Sequence, residues 1–168
     1  MNWVDVLVIL TLVAAVIVET MRGFGRAAFD ALALFVVLWL ASTAAAPFSK
    51  ILPLSSDPSV AKAYAYGILA VGGTVLGLGL SHFAYQSMLL NAGMFDHFLG
   101  LVLGVLVGMM FCHGIVRTMA MSDPKGEGSA AVVMAGPVAS EMYDFHNYHS
   151  VVDEITGAAN YHRELNLP

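Results

Sequence analysis

Long apolar runs, separated by brief polar stretches, set the pattern of this chain. The runs Asn2–Val18, Ala27–Ala46, Ala61–Ser81 and Phe98–Met119 each carry a single Asp, Lys or Arg. At 1.5 Å per helical residue, about 20 such residues cross the roughly 30 Å hydrocarbon layer of a bilayer. The apolar positions lack the strict alternation of a half-buried strand. The pattern predicts an all-α polytopic membrane protein with four transmembrane helices over residues 1–121. A short extramembrane tail, 122–168, follows. The third run can continue to Leu90 before the turn signal Asn91-Ala92-Gly93.

The polar breaks refine this picture. Gly23 and Gly25, inside the charged stretch Glu19–Asp30, permit a sharp turn between the first two helices. Pro47, Pro53 and Pro58, with Ser55, Ser56 and Asp57, mark the second connection, whose apolar Phe48, Ile51 and Leu52 suit a short interfacial helix. Trp3 fits an interfacial position. Asp5 reads as an acid near a helix N-terminus, with a buried functional carboxylate as the alternative. Asp96 stands where an N-cap acid belongs. After the Ser122–Gly128 stretch the tail is mildly amphipathic, with short helices expected at Ser140–Tyr148 and Ser150–Ala159.

Composition strengthens the membrane reading. Of 168 residues, 58% are apolar and 11% charged, against roughly 25% charged in a soluble domain. The net charge of −5 arises largely in the last fifty residues and leaves no basic surface for nucleic acid. Met1–Asp5 lacks the basic n-region of a cleaved leader, so the first run is expected to be retained as a span. The single cysteine, Cys112, rules out a disulfide framework within the chain.

Glycine spacing points to close helix contacts. Gly73 and Gly77 form one G-x-x-x-G, and Gly100, Gly104 and Gly108 put three glycines near one face of the fourth helix. In lipid such faces let backbones approach.

No phosphate-binding loop, dinucleotide fingerprint, nucleophile elbow or paired-cysteine motif is present. The expectation is a non-enzymatic protein with no cofactor. Three constellations remain. Glu19, Arg22, Arg26 and Asp30 alternate in sign at helical spacing and form one stripe if the backbone stays helical. They read as a salt-bridge network with Arg26–Asp30 as the firmest pair. Arg22, Arg26, Asp30 and Asp96 are the candidates for contact with a partner or a lipid headgroup. His82 and His113 are weak candidates for holding a haem or pigment; their different depths keep one chain from clamping one iron between them. His146, His149 and Asp153, near Glu154 and His162, can share a helical face and are weak metal candidates.

Three passages resemble the colicin V production protein family of bacterial inner-membrane proteins. They are the opening Met1-Asn2-Trp3-Val4-Asp5-Val6, the link Arg22-Gly23-Phe24-Gly25-Arg26, and Asp96-His97-Phe98 running into glycines every four residues through Gly108. The resemblance covers about residues 1 to 120 and extends to the segment near Ala135–Val138. It implies a role linked to colicin V secretion and envelope integrity, with no enzyme activity.

Three functions follow as expectations. The first is a non-enzymatic membrane scaffold acting through helix packing and partner docking. The second is an accessory subunit of a photosynthetic, respiratory or secretory complex, with other membrane subunits as partners. The third, a small transporter or channel component, ranks last because the middle of the first two helices offers almost no polar group. Four spans place both termini on one side. Lys50, Lys62, Arg117 and Lys125 against Arg22 and Arg26 favour the cytoplasm for that side by count, while the density of Arg22 and Arg26 in the first loop favours the reverse.

Overall fold

A computed structural model describes residues 1–88, 93–123 and 125–156. Its helices are α1 (Trp3–Arg22), α2 (Phe24–Ile51), α3 (Pro58–Met88), α4 (Asp96–Met121), α5 (Ser129–Ala135), α6 (Pro137–Asp144) and α7 (His146–Thr156), with a single 3-10 turn at Gly93–Phe95 before α4. The four long helices are long and apolar enough to cross a membrane. The four-span, all-helical reading therefore holds, and short helices follow the spans.

Element ends differ from the sequence reading in three places. The charged stretch is helical almost throughout, because α1 runs on to Arg22 and α2 starts at Phe24. The whole turn is Gly23, at φ +83°, a conformation that disfavours any residue with a Cβ. Its N–H donates to the Glu19 carbonyl and its carbonyl accepts from Ala27, so both helix ends are closed by one residue. Second, α2 does not stop at Ala46 but runs through Pro47 to Ile51. The hydrogen bond lost at Pro47 lies in the final turns, where little helix remains to be broken. Third, the tail holds three described helices, and the break falls at Phe145, the one described non-glycine residue with positive φ. The expected extension to Leu90 and the end at Ala159 lie outside the described residues.

Gly23 defines a hinge end of the bundle; the opposite end, where α1 starts and α4 stops, is the tail end. α1 packs along α4 and α2 along α3, with α4 also against α2. The small residues explain the α1–α4 pairing. A Cβ at Gly100 would meet the Glu19 carbonyl oxygen at 2.8 Å, and one at Gly104 would lie 3.1 Å from Val16 Cα. At Gly108 it would meet the Leu12 side chain at 2.7 Å. Gly73 and Gly77 do the same for α2–α3, facing Val37 at 2.8 and 3.0 Å. Gly72 and Gly79 of α3 face open space.

The tail does not stand clear of this bundle. From the single-residue hinge, α1 and α2 diverge, and the wedge between them at the tail end is filled by α6 and α7. Ala139 of α6 is buried in a cluster with Val4, Val8 and Cys112 of α1 and α4. Phe145, Tyr148 and Val152 instead join the cluster of Leu34, Leu38 and Tyr66 on α2 and α3. Tyr148 meets Phe35 of α2 edge-on, ring centroids 5.4 Å apart. Thus α6 descends beside α1, the chain reverses at Phe145, and α7 returns beside α2.

Candidate functional site

Polar side chains gather at two depths. At the hinge end, helical spacing turns Arg22 and Arg26 toward Asp30. Asp30 is fully buried; its Oδ2 accepts from Arg22 Nη1 and Arg26 Nε, both at 3.2 Å, and its Oδ1 accepts from the Ser81 hydroxyl of α3. Arg22 Nη1 also reaches Glu19 Oε1 at 3.2 Å. Glu19 Oε2 is buried without a hydrogen-bond partner among the described residues. One carboxylate thus ties α1, α2 and α3 together. In a low-dielectric setting, charges persist only when paired in this way. Arg26 Nη1 donates to His82 Nδ1, and the Gln86 amide nitrogen lies 3.0 Å from His82 Nε2.

Asp96 is the first residue of α4, not its cap, which is Phe95. Its Oδ1 accepts the Phe24 amide at 3.2 Å, so it serves the N-terminus of α2 instead. A side chain on Gly23 would collide with this carboxylate, a second reason for glycine there. His97 donates through Nδ1 to the Thr20 carbonyl at 2.9 Å, fastening α4 to α1.

At the tail end Asp5 plays the matching part. Asn2 and Asp5 form a capping box on α1. Fully buried, Asp5 also accepts from the Val138 and Ala139 amides, at 3.1 and 3.0 Å, and so caps α6. Asn2 Nδ2 donates to the Val132 carbonyl at 2.6 Å. Free N–H groups at a helix start are costly away from water, and these two side chains supply the partners. Gly136 is required by space: a Cβ there would lie 2.5 Å from Asp5 Oδ1. A Gly136→Ala protein is expected to lose tail docking at a local cost of about 1–3 kcal/mol. Amide exchange across residues 130–144 should rise at least about tenfold, since 1.4 kcal/mol is a factor of ten; unchanged protection would refute the docking role.

Deeper at this end, His113 of α4 is fully buried, with Nδ1 2.9 Å from the Met142 carbonyl and its ring 5.1 Å from that of His149. Arg117, one turn on, lies over the Tyr66 ring at 5.2 Å and 3.5 Å from His113 Nε2. Beyond α4, the Asp123 carboxylate accepts the Gly128 amide at 2.6 Å and the Ala130 amide at 3.2 Å. These bonds, Gly128 first, hold it below the usual carboxylate range.

The candidate residues therefore separate. Arg22, Arg26 and Asp30 converge, with Asp96 beside them at the hinge. His82 and His113 belong to opposite ends of the bundle, His82 with Arg26 and His113 with the tail. His149 is buried against His113 while His146 is exposed. Among the described residues, no three His, Cys, Asp or Glu side chains converge as metal ligands. His162 lies outside the described residues. Sequence reasoning passed over Ser81, Arg117 and Gly136. Ser81 and Arg117 are polar residues near the ends of otherwise apolar helices, and Gly136 precedes a proline; those were the only signals.

These features match a family model described as colicin V production protein, over residues 4–144. The chain belongs to the colicin V production protein family. Neither a curated protein nor a solved structure matches it. The matched span takes in Asp5, the glycine hinge, the α4 glycines and the Gly136 segment, and it ends just before Phe145. In this member of the family, α7 is thus the element beyond the shared region. The chain is a multi-pass protein of a bacterial membrane family.

Proposed function

We propose that this protein is a non-enzymatic scaffold of the bacterial inner membrane that holds a partner membrane protein against α3. The observation that carries the reading is the outer face of α3. Val71, Val75, Leu76, Leu80 and Phe83 are exposed there, and Gly72 and Gly79 have nothing within 4 Å of where a Cβ would stand. Gly100 and Gly104 have their small size used inside the chain, whereas Gly72 and Gly79 do not. Glycine weakens a helix by about 0.5–1 kcal/mol relative to alanine, and a close partner helix in lipid offsets that cost. A transport role draws less support. Between the Asp30–Ser81 cluster and the His113–Arg117 cluster lies a buried layer of Leu34, Val107 and Met110, and among the described residues no charged side chain is buried in that layer.

The test is purification of the full chain from its native membrane in mild detergent, followed by mass spectrometry and an absorption spectrum. Retained partners are expected to fall at least about tenfold, or 1.4 kcal/mol, in a Gly72→Leu, Gly79→Leu double variant whose thermal unfolding is unchanged. Equal retention would sink the α3 docking reading. A fixed stoichiometric set of subunits with haem or chlorophyll bands would replace the scaffold by an accessory subunit of that complex. Flux in proteoliposomes containing this chain alone would overturn both.

A further inference from the structure

The hinge-end charges are layered. The carboxylates lie inside, with the Asp30 side chain 0% and that of Glu19 4% exposed, while the Arg22 side chain is 44% exposed. Arg22 therefore presents the positive side of its ion pairs outward, while the Arg26 side chain is 14% exposed. Their donors are only partly used. Arg22 bonds through Nη1 alone, and Arg26 through Nε and Nη1, so Arg22 Nε and Nη2 and Arg26 Nη2 have no protein partner among the described residues. Arg22 and Arg26, with His82, Tyr85 and Gln86, line a polar pocket of about 520 Å³.

A second, apolar cleft of about 450 Å³ lies deeper, between α3 and α4 and floored by Leu34 and Leu38 of α2. Its shape follows from the helix contacts. At the tail end α3 and α4 touch, where a Cβ on Gly67 would be 2.9 Å from the Thr118 methyl. Toward the hinge they part, because Ser81 of α3 turns to Asp30 while Asp96 of α4 sits on Gly23 and Phe24. The cleft and the polar pocket lie one after the other along α3. Val71 and Val75 on its wall, and His82 and Gln86 in the pocket, recur at spacings of four, seven and four, one face of α3. From Val75 to His82 is about 10 Å along the axis, well within one acyl chain's reach from a headgroup.

We propose that this pocket and cleft together form a site for one anionic phospholipid. The phosphate sits on the free donors of Arg22 and Arg26, with Tyr85 and Gln86 at its rim, and one acyl chain lies in the α3–α4 cleft. Guanidinium is the side chain suited to bidentate phosphate recognition. A void on the lipid-facing side of a bundle forfeits dispersion contacts until a chain fills it. Asp96 also lies at the hinge, where its Oδ1 accepts the Phe24 amide. The two proposals share Val71 and Val75, but Gly72 and Gly79 line neither the pocket nor the cleft, so the glycine double variant tests the docking reading and Arg22→Gln with Thr74→Trp tests this one.

The full chain is reconstituted in nanodiscs of equal phosphatidylglycerol and phosphatidylethanolamine, released, and examined by native mass spectrometry. One phosphatidylglycerol is expected to remain, enriched at least about tenfold over phosphatidylethanolamine. Arg22→Gln and Thr74→Trp, which fills the cleft, should each remove that enrichment. Should Arg22→Gln fail to fold, a Tyr85→Phe, Gln86→Ala pair at the pocket rim should still reduce it. Equal retention of the two lipids would overturn the proposal. Displacement by millimolar inorganic phosphate, or enrichment indifferent to Thr74→Trp, would assign the pocket to free phosphate and refute the lipid. A protein retained in place of lipid, and lost with Arg22→Gln, would refute it equally.

Discussion

An Asp30→Ala protein is expected to lose about 3 kcal/mol of stability, the low end of the range for breaking a buried ion pair by removing one partner. The low end applies because Arg22 and Arg26, left behind, can turn outward to headgroups; the Arg22 side chain is already 44% exposed. The loss has three sources. Two guanidiniums lose the oxygen they share, the Ser81 hydroxyl loses its acceptor, and a cavity opens where α1, α2 and α3 meet. Asp30→Asn keeps the volume and the Ser81 contact while removing the charge, so it should cost less than alanine. Unfolding in mild detergent, followed by tryptophan fluorescence, measures both. A loss under about 1 kcal/mol for alanine would mean that the ion pairs behave like exposed ones, and the central place given to Asp30 would be wrong. Arg26→Gln is the informative companion, because it should also release His82 from its only guanidinium contact.

The second large effect concerns α4. Gly100→Ala and Gly104→Ala should each destabilise the protein by about 1–3 kcal/mol, the cost of forcing atoms into a packed contact. The ranking within the series is the sharper test. Gly100 should be worst, since its Cβ would press on the backbone of Glu19 and Gly23. Gly104 follows, against the backbone of Val16. Gly73→Ala should be milder, because its obstacle is the Val37 side chain, which can change rotamer. Gly72→Ala and Gly79→Ala, which meet nothing, should be neutral or slightly stabilising through the unfolded chain. Thermal unfolding midpoints of the five variants decide it. If Gly72→Ala proved as damaging as Gly100→Ala, close α1–α4 contact would not be what distinguishes the glycines.

Much of the hinge was legible because it is local. Glu19, Arg22, Arg26 and Asp30 fall three and four residues apart, and a helical backbone brings such neighbours together. The only question was whether the chain stays helical across Gly23, and it does so on either side of that single residue. The Arg26–Asp30 pair follows from spacing alone. Its partner Ser81 does not, since 51 residues separate it from Asp30 and no local rule selects one serine of a glycine-rich helix. Asp96 was legible as an acid at a helix start, but the amide it serves is on α2, because α4 begins beside the hinge.

The tail was the least legible part. Its helices are short and amphipathic, and a short amphipathic helix suits water, a membrane surface or a gap in a bundle equally well. What places α6 and α7 is the surface they meet: α6 lies against α1 and α4, and α7 against the aromatic and aliphatic cluster on α2 and α3. Asp5 and Gly136 are then joined by the fit of one surface to another across 131 residues of sequence.

The sequence by itself determined the number and apolar character of the four spans, a glycine hinge and the pairing of its flanking charges. These rest on hydropathy, on helical period and on glycine's tolerance of positive φ, all properties of a residue and its near neighbours. Tertiary structure alone decided which glycines are used, where Asp5 and Asp96 spend their acceptors, how the tail closes the bundle, and that a cleft lies between α3 and α4. Each of those depends on which helix lies beside which. In lipid that choice is made by small differences in close packing and polar pairing between surfaces that are all equally apolar.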